Sequence, residues 1–328
     1  MRQQASFSIR KDPAISDTIP PQAPAAARPP VGVGQFTPRL LLYFAIVTLI
    51  WGSTWLVITT QLGSVPASWS VAWRFLAGGT VMMTVCLLTG KSLKMDRRGH
   101  LFAIGIAVMQ FALNFNLVYR AEQHITSGLV ALSFALLIVP NTLFAAAFLG
   151  QKFTPRFAIG SLIGIVGVGM MFARDLAMPG SDTPEIGLGI ALAIGGVLCA
   201  SVGNIMQATP VGRSLPLEGG LAWSMLYGGL INAAIAWGLA GPPVMDWSPA
   251  YLAGLAYLAV VASALAFSLY YTLIREIGPG KAAYTGVVVP LVAMALSTVF
   301  ESYVWTPLAV AGGLLALAGL VVALRSRG

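Results

Sequence analysis

Residues 139–167 read VPNTLFAAAFLGQKFTPRFAIGSLIGIVG, and a related pattern returns at residues 289–319 as VPLVAMALSTVFESYVWTPLAVAGGLLALAG. Both stretches hold an apolar segment with an early proline, a short polar gap that contains Thr-Pro, and a second apolar segment with spaced glycines. The early prolines, Pro140 and Pro290, are 150 residues apart, and the Thr-Pro prolines are 152 residues apart. This ordered recurrence indicates an internal duplication. The alternative is chance, because Gly and Pro are common in transmembrane helices.

Outside this repeat, the rest of the chain also divides into apolar stretches. Hydrophobic residues make up 57% of the composition and charged residues only 9%, with a mean hydropathy of +0.81, whereas a soluble domain carries about a quarter charged residues. A helix that crosses a bilayer needs about 20 apolar residues. Ten stretches near that length predict ten transmembrane helices at 40–60, 67–89, 101–119, 125–149, 155–173, 186–206, 219–240, 250–274, 282–300 and 307–324.

Lysine and arginine lie almost entirely in alternate gaps between these stretches. The basic gaps and tails hold Arg2, Arg10, Lys11, Arg28, Arg39, Lys91, Lys94, Arg97, Arg98, Lys152, Arg156, Arg213, Arg275, Lys281, Arg325 and Arg327. The other gaps hold only Arg120 and Arg174. Because basic residues gather on the cytoplasmic side of short loops, the pattern predicts a multi-pass protein of the inner (plasma) membrane with both termini in the cytoplasm.

Each half of the predicted repeat contains five spans, an odd number. The second half must therefore enter the membrane in the opposite sense. The expected fold is an all-α integral membrane protein, in which ten transmembrane helices form an inverted five-plus-five repeat. Its parts are a flexible Pro/Ala-rich cytoplasmic tail at 1–38, a first repeat at 39–173 and a second at 174–328. Inverted repeats are typical of alternating-access transporters, with the solute site near the midplane between the halves.

Composition also excludes several classes of function. The formal net charge of +8 is spread over many short loops, so it indicates topology and no nucleic-acid partner. His100 and His124 are too few and too far apart for a metal cluster, and the sequence holds no phosphate-binding loop. No acid or histidine lies at the centre of a span, so we expect no catalytic residues, no cofactor and no enzyme activity.

Several motifs resemble the EamA family of the drug/metabolite transporter superfamily. They are Trp51-Gly52-Ser53-Thr54-Trp55, Trp73-Arg74-Phe75, 121–128 with Pro140, Phe148-Leu149-Gly150-Gln151, 160–169, Gly278-Pro279-Gly280-Lys281-Ala282, Pro290, Glu301 and 312–319. The resemblance covers all ten spans and omits the tail. It implies the same inverted repeat and transport of small metabolites, commonly amino-acid export. The chain departs from the family at Gln151, where Glu is usual, and at Glu122 and His124, which replace residues that are more often apolar or aromatic.

Polar and aromatic residues at helical spacing predict a central solute site. Trp51 and Trp55 share one face of span one, and Ser201 and Asn204 share one face of span six. The predicted substrate-binding residues are Trp51, Trp55, Arg74, Asn114, Ser201, Asn204 and Tyr270. The competing interpretation is that these side chains bond neighbouring helices to one another. For Asn116, Asn141 and Asn232 we expect this structural role.

Three residues carry two interpretations each. Arg74, the only basic residue well within a span, could bind a carboxylate of the solute or pair with Glu301 or Glu122. Pro140 and Pro290 each remove a backbone hydrogen bond and bend a helix, so they are either hinges for alternating access or fixed kinks. The matching positions of the two prolines favour hinges.

The sequence therefore predicts a secondary transporter that moves a small organic metabolite out of the cytoplasm by alternating access. Its expected partners are the lipid bilayer and a solute that is an amino acid or a related compound. A cationic drug or a nucleoside-type solute is the alternative substrate, and a non-transporting receptor or assembly component is the alternative function. The sequence assigns no oligomeric state.

Overall fold

The computed structural model describes residues 36–125, 127–152, 154–177, 183–300 and 305–324. Within these ranges all regular structure is helical. The predicted N-terminal tail up to residue 35, Glu301 and the C-terminal basic residues lie outside the described residues.

The helices, in chain order, follow the predicted apolar stretches closely. They are α1 Pro38–Thr59, α2 Ala67–Thr89, α3 Arg97–Ala121, α4 Ser127–Ala135, α5 Ile138–Leu149, α6 Pro155–Ala177, α7 Thr183–Ala208, α8 Pro210–Ser214, α9 Leu217–Ala240, α10 Pro249–Ile277, α11 Pro279–Ala282, α12 Thr285–Phe300 and α13 Pro307–Leu324. Among the described residues, seven helical segments are long and apolar enough to cross a membrane, and α6 and α13 contain two shorter apolar stretches. The chain is therefore a multi-pass membrane protein.

Local sequence fixes many of the helix ends. The side chains of Thr37, Asp96 and Ser248 accept hydrogen bonds from backbone N–H groups of the first turns of α1, α3 and α10, which satisfies donors that have no partner within the helix. Helices α2 and α5 end at Gly90 and Gly150, whose φ angles of +67° and +62° are left-handed. Glycine adopts this conformation without the steric cost of a side chain.

Span four differs from its prediction. The stretch at 125–149 is two helices, α4 and α5, separated by a turn at residues 136 and 137. Pro140 lies in the first turn of α5, where its missing N–H costs little because first-turn donors lack helical partners anyway. Pro290 lies inside α12, which continues on both sides of it.

Helices α3 and α10 each contain a π-helical segment that the sequence pattern did not predict. The segments are Ala107–Leu113 and Tyr257–Leu265, and their first residues are 150 positions apart. A π segment adds a residue to the turn and shifts the side chains that follow it. The faces of α3 and α10 beyond these segments therefore depart from simple helical spacing.

Helices α2 and α9 pack against each other through reciprocal contacts. A Cβ atom added to Gly79 would lie 2.8 Å from the backbone nitrogen of Leu226, and one added to Gly229 would lie 2.7 Å from that of Leu76. The indole of Trp73 donates to the carbonyl of Val244 at 2.8 Å, and the indole of Trp223 donates to that of Leu93 at 2.9 Å. Each helix thus contacts the other in the same way.

Helices α6 and α13 form an equally close pair through small residues. A Cβ atom added to Gly160 would lie 2.6 Å from the backbone nitrogen of Ala323, and one added to Gly319 would lie 2.5 Å from that of Gly164. Small residues let transmembrane backbones approach closely. The two pairs, α2 with α9 and α6 with α13, each join the first part of the chain to the second.

Candidate functional site

A central cavity lies between α1, α2, α3, α4, α7, α10 and α12. The space between its side chains is about 650 Å³ when open solvent is counted. Six of the seven predicted substrate-binding residues line it: Trp51, Trp55, Arg74, Asn114, Asn204 and Tyr270. Residues that are far apart in the sequence therefore converge on one space.

Ser201 does not line this cavity. Its side chain is fully buried, and its hydroxyl donates to Asn141 Oδ1 at 2.7 Å. Helical spacing placed Ser201 on the same face as Asn204, but the hydroxyl is used to attach α7 to α5. Ser201 was predicted to bind substrate, but the structure places its hydroxyl in a contact between α7 and α5.

Aromatic rings form much of the wall. The ring centre of Trp51 lies 5.2 Å from that of Phe267 and 4.7 Å from that of Tyr270, and Trp55 lies 5.3 Å from Phe134. Such distances are typical of tilted and edge-to-face aromatic packing. The indole of Trp51 donates to a backbone carbonyl of α10, whereas the buried Nε1 of Trp55 has no partner among the described residues.

Arg74 is the charged residue among the described residues that line the cavity, and it is only 1% exposed. Its Nε donates to the Ser263 hydroxyl at 2.9 Å and its Nη1 to the Tyr119 hydroxyl at 3.4 Å. Its guanidinium carbon lies 4.5 Å from the ring centre of Phe115. The predicted ion pair with Glu122 does not form, and Glu301 lies outside the described residues. Within the described part of the chain, Arg74 therefore has neutral partners only.

Buried amides supply the polar part of the wall. The side-chain oxygens of Gln110, Asn114 and Asn204 are buried and accept no hydrogen bond from any described residue. A buried polar atom without a partner costs roughly 1–3 kcal/mol, so a group that donates to these oxygens would be stabilised. The four-residue spacing of Gln110 and Asn114 places them on one face of α3, although Gln110 was not among the predicted substrate-binding residues.

Asn141 connects the cavity wall to three other elements. Its Nδ2 donates to the carbonyl of Pro279 at 3.2 Å, and its Oδ1 accepts from Ser201. Asn204 Nδ2 donates to the Tyr270 hydroxyl at 3.3 Å. This group, the Asn141 cluster, consists of Asn141, Ser201, Asn204, Tyr270 and the carbonyl of Pro279, and it links α5, α7, α10 and α11.

Asn116 and Asn232 lie away from the cavity. Asn116 Nδ2 donates to Asn232 Oδ1 at 2.5 Å, and Asn232 Nδ2 donates to the backbone carbonyl of Phe111 at 2.8 Å. The second bond reaches a backbone carbonyl within the π segment of α3. Both contacts are those of side chains that hold neighbouring helices together.

Comparisons with known proteins identify a matching family and related sequences. The chain matches the EamA-like transporter family over residues 39–173 and 187–325. It is 24% identical to protein PagO of Salmonella typhimurium over 262 residues, covering 80% of this chain and 85% of PagO. It is 29% identical over 288 residues to YedA of Escherichia coli, named an uncharacterized inner membrane transporter, covering 80% of this chain and 84% of YedA.

A solved crystal structure is similar in fold. It covers 88% of this chain and 99% of its own length, with a TM-score of 0.72 and 20% sequence identity. The family match extends over most of the chain and identifies a membrane transporter rather than an enzyme. This protein belongs to the EamA-like transporter family.

Proposed function

We propose that this protein exports amino acids or closely related zwitterions from the cytoplasm by alternating access. One observation carries the proposal: among the described residues, the same cavity is lined by an arginine with no carboxylate partner and by residues whose amide oxygens have no donor. A solute with one carboxylate and one ammonium group would satisfy both.

The two charged ends of such a solute have distinct partners. Arg74 presents a rigid guanidinium fork that suits a carboxylate. An ammonium group donates three hydrogen bonds, and the unpartnered oxygens of Gln110, Asn114 and Asn204 would accept them. The rings of Trp51 and Trp55 would contact an apolar side chain, and a cation over a Trp ring would add about 0.5–2 kcal/mol. The cavity thus favours a zwitterion with an apolar or aromatic side chain.

The proposed architecture is a ten-span inverted repeat, with repeats at 39–173 and 174–328. The reciprocal contacts of α2 with α9 and the matched π segments of α3 and α10 support it. Helix α9 has 24 residues and lies against α2, which supports its assignment as a span. The alternating basic gaps support an inner-membrane protein with both termini in the cytoplasm.

A reporter that is active only in the cytoplasm tests this topology. Fused after Gly328 it should be active, and inserted in the gap at 174–186 it should be silent. The opposite pattern would overturn the orientation.

The Asn141 cluster supports alternating access. Under the proposed topology Pro279 lies near the cytoplasmic surface, so the cluster closes that side of the cavity. Opening toward the cytoplasm would separate Asn141 from the carbonyl of Pro279. The break between α4 and α5 beside Pro140, and Pro290 inside α12, are the proposed hinges for this movement, since each lies where regular backbone hydrogen bonding is interrupted.

Counterflow in proteoliposomes tests the function, because counterflow requires a carrier that presents one site to each side in turn. The panel is L-phenylalanine, phenethylamine, which lacks the carboxylate, phenylpropionate, which lacks the ammonium group, a nucleoside and a cationic dye. We expect counterflow of phenylalanine and weak movement of both truncated analogues. Preferred movement of the dye or nucleoside would overturn the amino-acid assignment. No movement of any solute by folded protein would favour a receptor or assembly role.

A further inference from the structure

Glu122, at the end of α3, has a carboxylate without a partner in the described part of the chain. It directly follows Ala121, the last residue of that helix, and both of its carboxylate oxygens are buried. Neither oxygen accepts a hydrogen bond from any described residue. A buried ionised carboxylate is costly unless it is paired. Local stabilisation of the fold therefore does not explain why the carboxylate of Glu122 is buried.

The surroundings of Glu122 connect it to the cavity. Tyr119, three residues earlier on α3, accepts a hydrogen bond from Arg74 of α2. Arg74 therefore lies beside the end of α3 that holds Glu122, and its positive charge opposes part of the effect of burial on the pKa of Glu122. Its neighbours Arg120 and His124 line a separate outer cavity.

The electrostatic balance at Glu122 depends on what Arg74 binds. Burial raises the pKa of Glu122 well above its ordinary value, and the positive charge of Arg74 partly opposes that rise. A solute carboxylate at Arg74 would neutralise this charge and add a second negative charge nearby. Both changes disfavour ionised Glu122, so a bound carboxylate would strengthen proton binding.

We propose that Glu122 is a proton-binding site linked to carboxylate binding at Arg74. The inference rests on the proposed function, in which Arg74 holds the solute carboxylate. When Glu122 is protonated, the positive charge of Arg74 attracts the solute carboxylate at full strength. When Glu122 is ionised, its negative charge offsets part of that attraction. By reciprocity, the solute and the proton increase each other's affinity by the same factor. Ionisation of Glu122 would therefore promote release of the solute.

The affinity for the solute should depend on pH. The solute binds more tightly when Glu122 is protonated, so affinity should increase as the pH falls through the pKa of this group and level off below it. Coupling between sites of this kind typically changes affinity by roughly five- to hundredfold.

Binding of radiolabelled L-phenylalanine to the full chain in detergent, from mildly alkaline to mildly acidic pH, tests the linkage. Wild-type protein should bind roughly five- to hundredfold more tightly at the acidic end, and Glu122→Gln should bind tightly at every pH. Glu276→Gln is the matched control, because Glu276 is partly exposed and pairs with Arg39, and it should behave as wild type. A Glu122→Gln protein that keeps the wild-type pH dependence would overturn the proposal. Glu122→Met repeats the test should the amide variant fold poorly.

A second readout needs no solute. Infrared spectroscopy detects the carbonyl band of a protonated buried carboxyl group, which should titrate in wild type and Glu276→Gln and be absent from Glu122→Gln. Absence of the band from wild type at every pH would overturn the proton site. A titrating band in protein that binds no phenylalanine would support the proton site and count against the amino-acid assignment alone.

Discussion

The two parts of the chain on either side of residue 178 share their packing residues but differ in their cavity residues. At positions 150 apart, Trp73 matches Trp223 and makes the same indole contact to an opposing loop. The next position in each helix differs: Arg74 lines the central cavity, whereas the Ser224 hydroxyl donates to the Gly220 carbonyl within its own helix.

This difference extends to the rest of the site. Trp51 corresponds to Ser201, and Asn114 corresponds to Ala264, when positions 150 apart are compared. Packing between similar helices can be symmetric because the same contact is made twice. A site for a zwitterion cannot be symmetric, since the two ends of the solute carry opposite charges. The comparison supports the proposed repeat, in which similar packing contacts hold a site whose residues differ between the two parts of the chain.

The largest expected effect is the difference in solute affinity between substituting Arg74 and substituting Ser224, which lies 150 positions later. Arg74→Gln removes the positive charge that would hold the solute carboxylate, and a hydrogen bond to a charged group contributes about 1.5–3 kcal/mol. Phenylalanine affinity should fall roughly ten- to hundredfold, whereas Ser224→Ala should change it little. Arg120→Gln controls for loss of an arginine elsewhere. Equal effects of the Arg74 and Ser224 substitutions, measured by counterflow, would contradict a specialised site.

A second pair of variants separates cavity amides from structural amides. Asn204→Ala removes an unpartnered oxygen of a residue that lines the cavity and should raise the apparent solute constant roughly ten- to hundredfold. It also removes the Asn204 Nδ2 hydrogen bond to Tyr270, which should cost about 0.5–1.5 kcal/mol of stability. Asn232→Ala removes two buried hydrogen bonds and should lower the stability of the protein in detergent by about 1–3 kcal/mol, with transport retained. Normal transport by an unstable Asn204→Ala protein would instead assign Asn204 to helix packing.

The reciprocal packing of α2 and α9 predicts similar losses of stability when either contact glycine is substituted. Gly79→Ala and Gly229→Ala each place a Cβ atom within 3 Å of the opposing backbone, and overpacking of this kind costs about 1–3 kcal/mol. Thermal unfolding in detergent should show similar losses for both. Gly220→Ala is the control on the same helix, because nothing lies within 4 Å of the added carbon. A loss at only one of the two contact glycines would show that the packing is not reciprocal.

The smallest effect concerns the paired tryptophans. Trp73→Phe and Trp223→Phe each keep an aromatic ring and remove one hydrogen bond to a loop carbonyl. Each should destabilise the protein by about 0.5–1.5 kcal/mol, as measured by the shift in thermal unfolding. Markedly unequal shifts would limit the reciprocity to the glycine contacts.

The positions of the helices could be predicted from sequence because burial in lipid requires long apolar stretches. Helix α2 begins and ends where predicted, at Ala67 and Thr89. The turn at residues 136 and 137 could not be predicted in the same way, since both flanking segments are apolar and Pro140 is compatible with a kink or a break. The π segments also could not be predicted, because they do not change the hydropathy pattern of the sequence.

The site was partly predictable for a related physical reason. Polar residues within spans are costly and so mark cavities or helix contacts, which led to Arg74, Asn114 and Asn204. Spacing alone cannot tell which of these two roles a residue has, and Ser201 illustrates this, because its hydroxyl bonds to Asn141. Glu122 lies at a helix end, where sequence gives no indication that its carboxylate is buried.

The most direct test of the account is a thermodynamic cycle between the solute carboxylate and Arg74. The affinities of L-phenylalanine and phenethylamine are measured for wild type and for Arg74→Gln. Wild type should prefer phenylalanine roughly ten- to hundredfold, and the preference should disappear in Arg74→Gln. Arg74 is the one arginine among the described residues that line the cavity. An unchanged preference in Arg74→Gln would contradict the claim that this cavity recognises a carboxylate through Arg74.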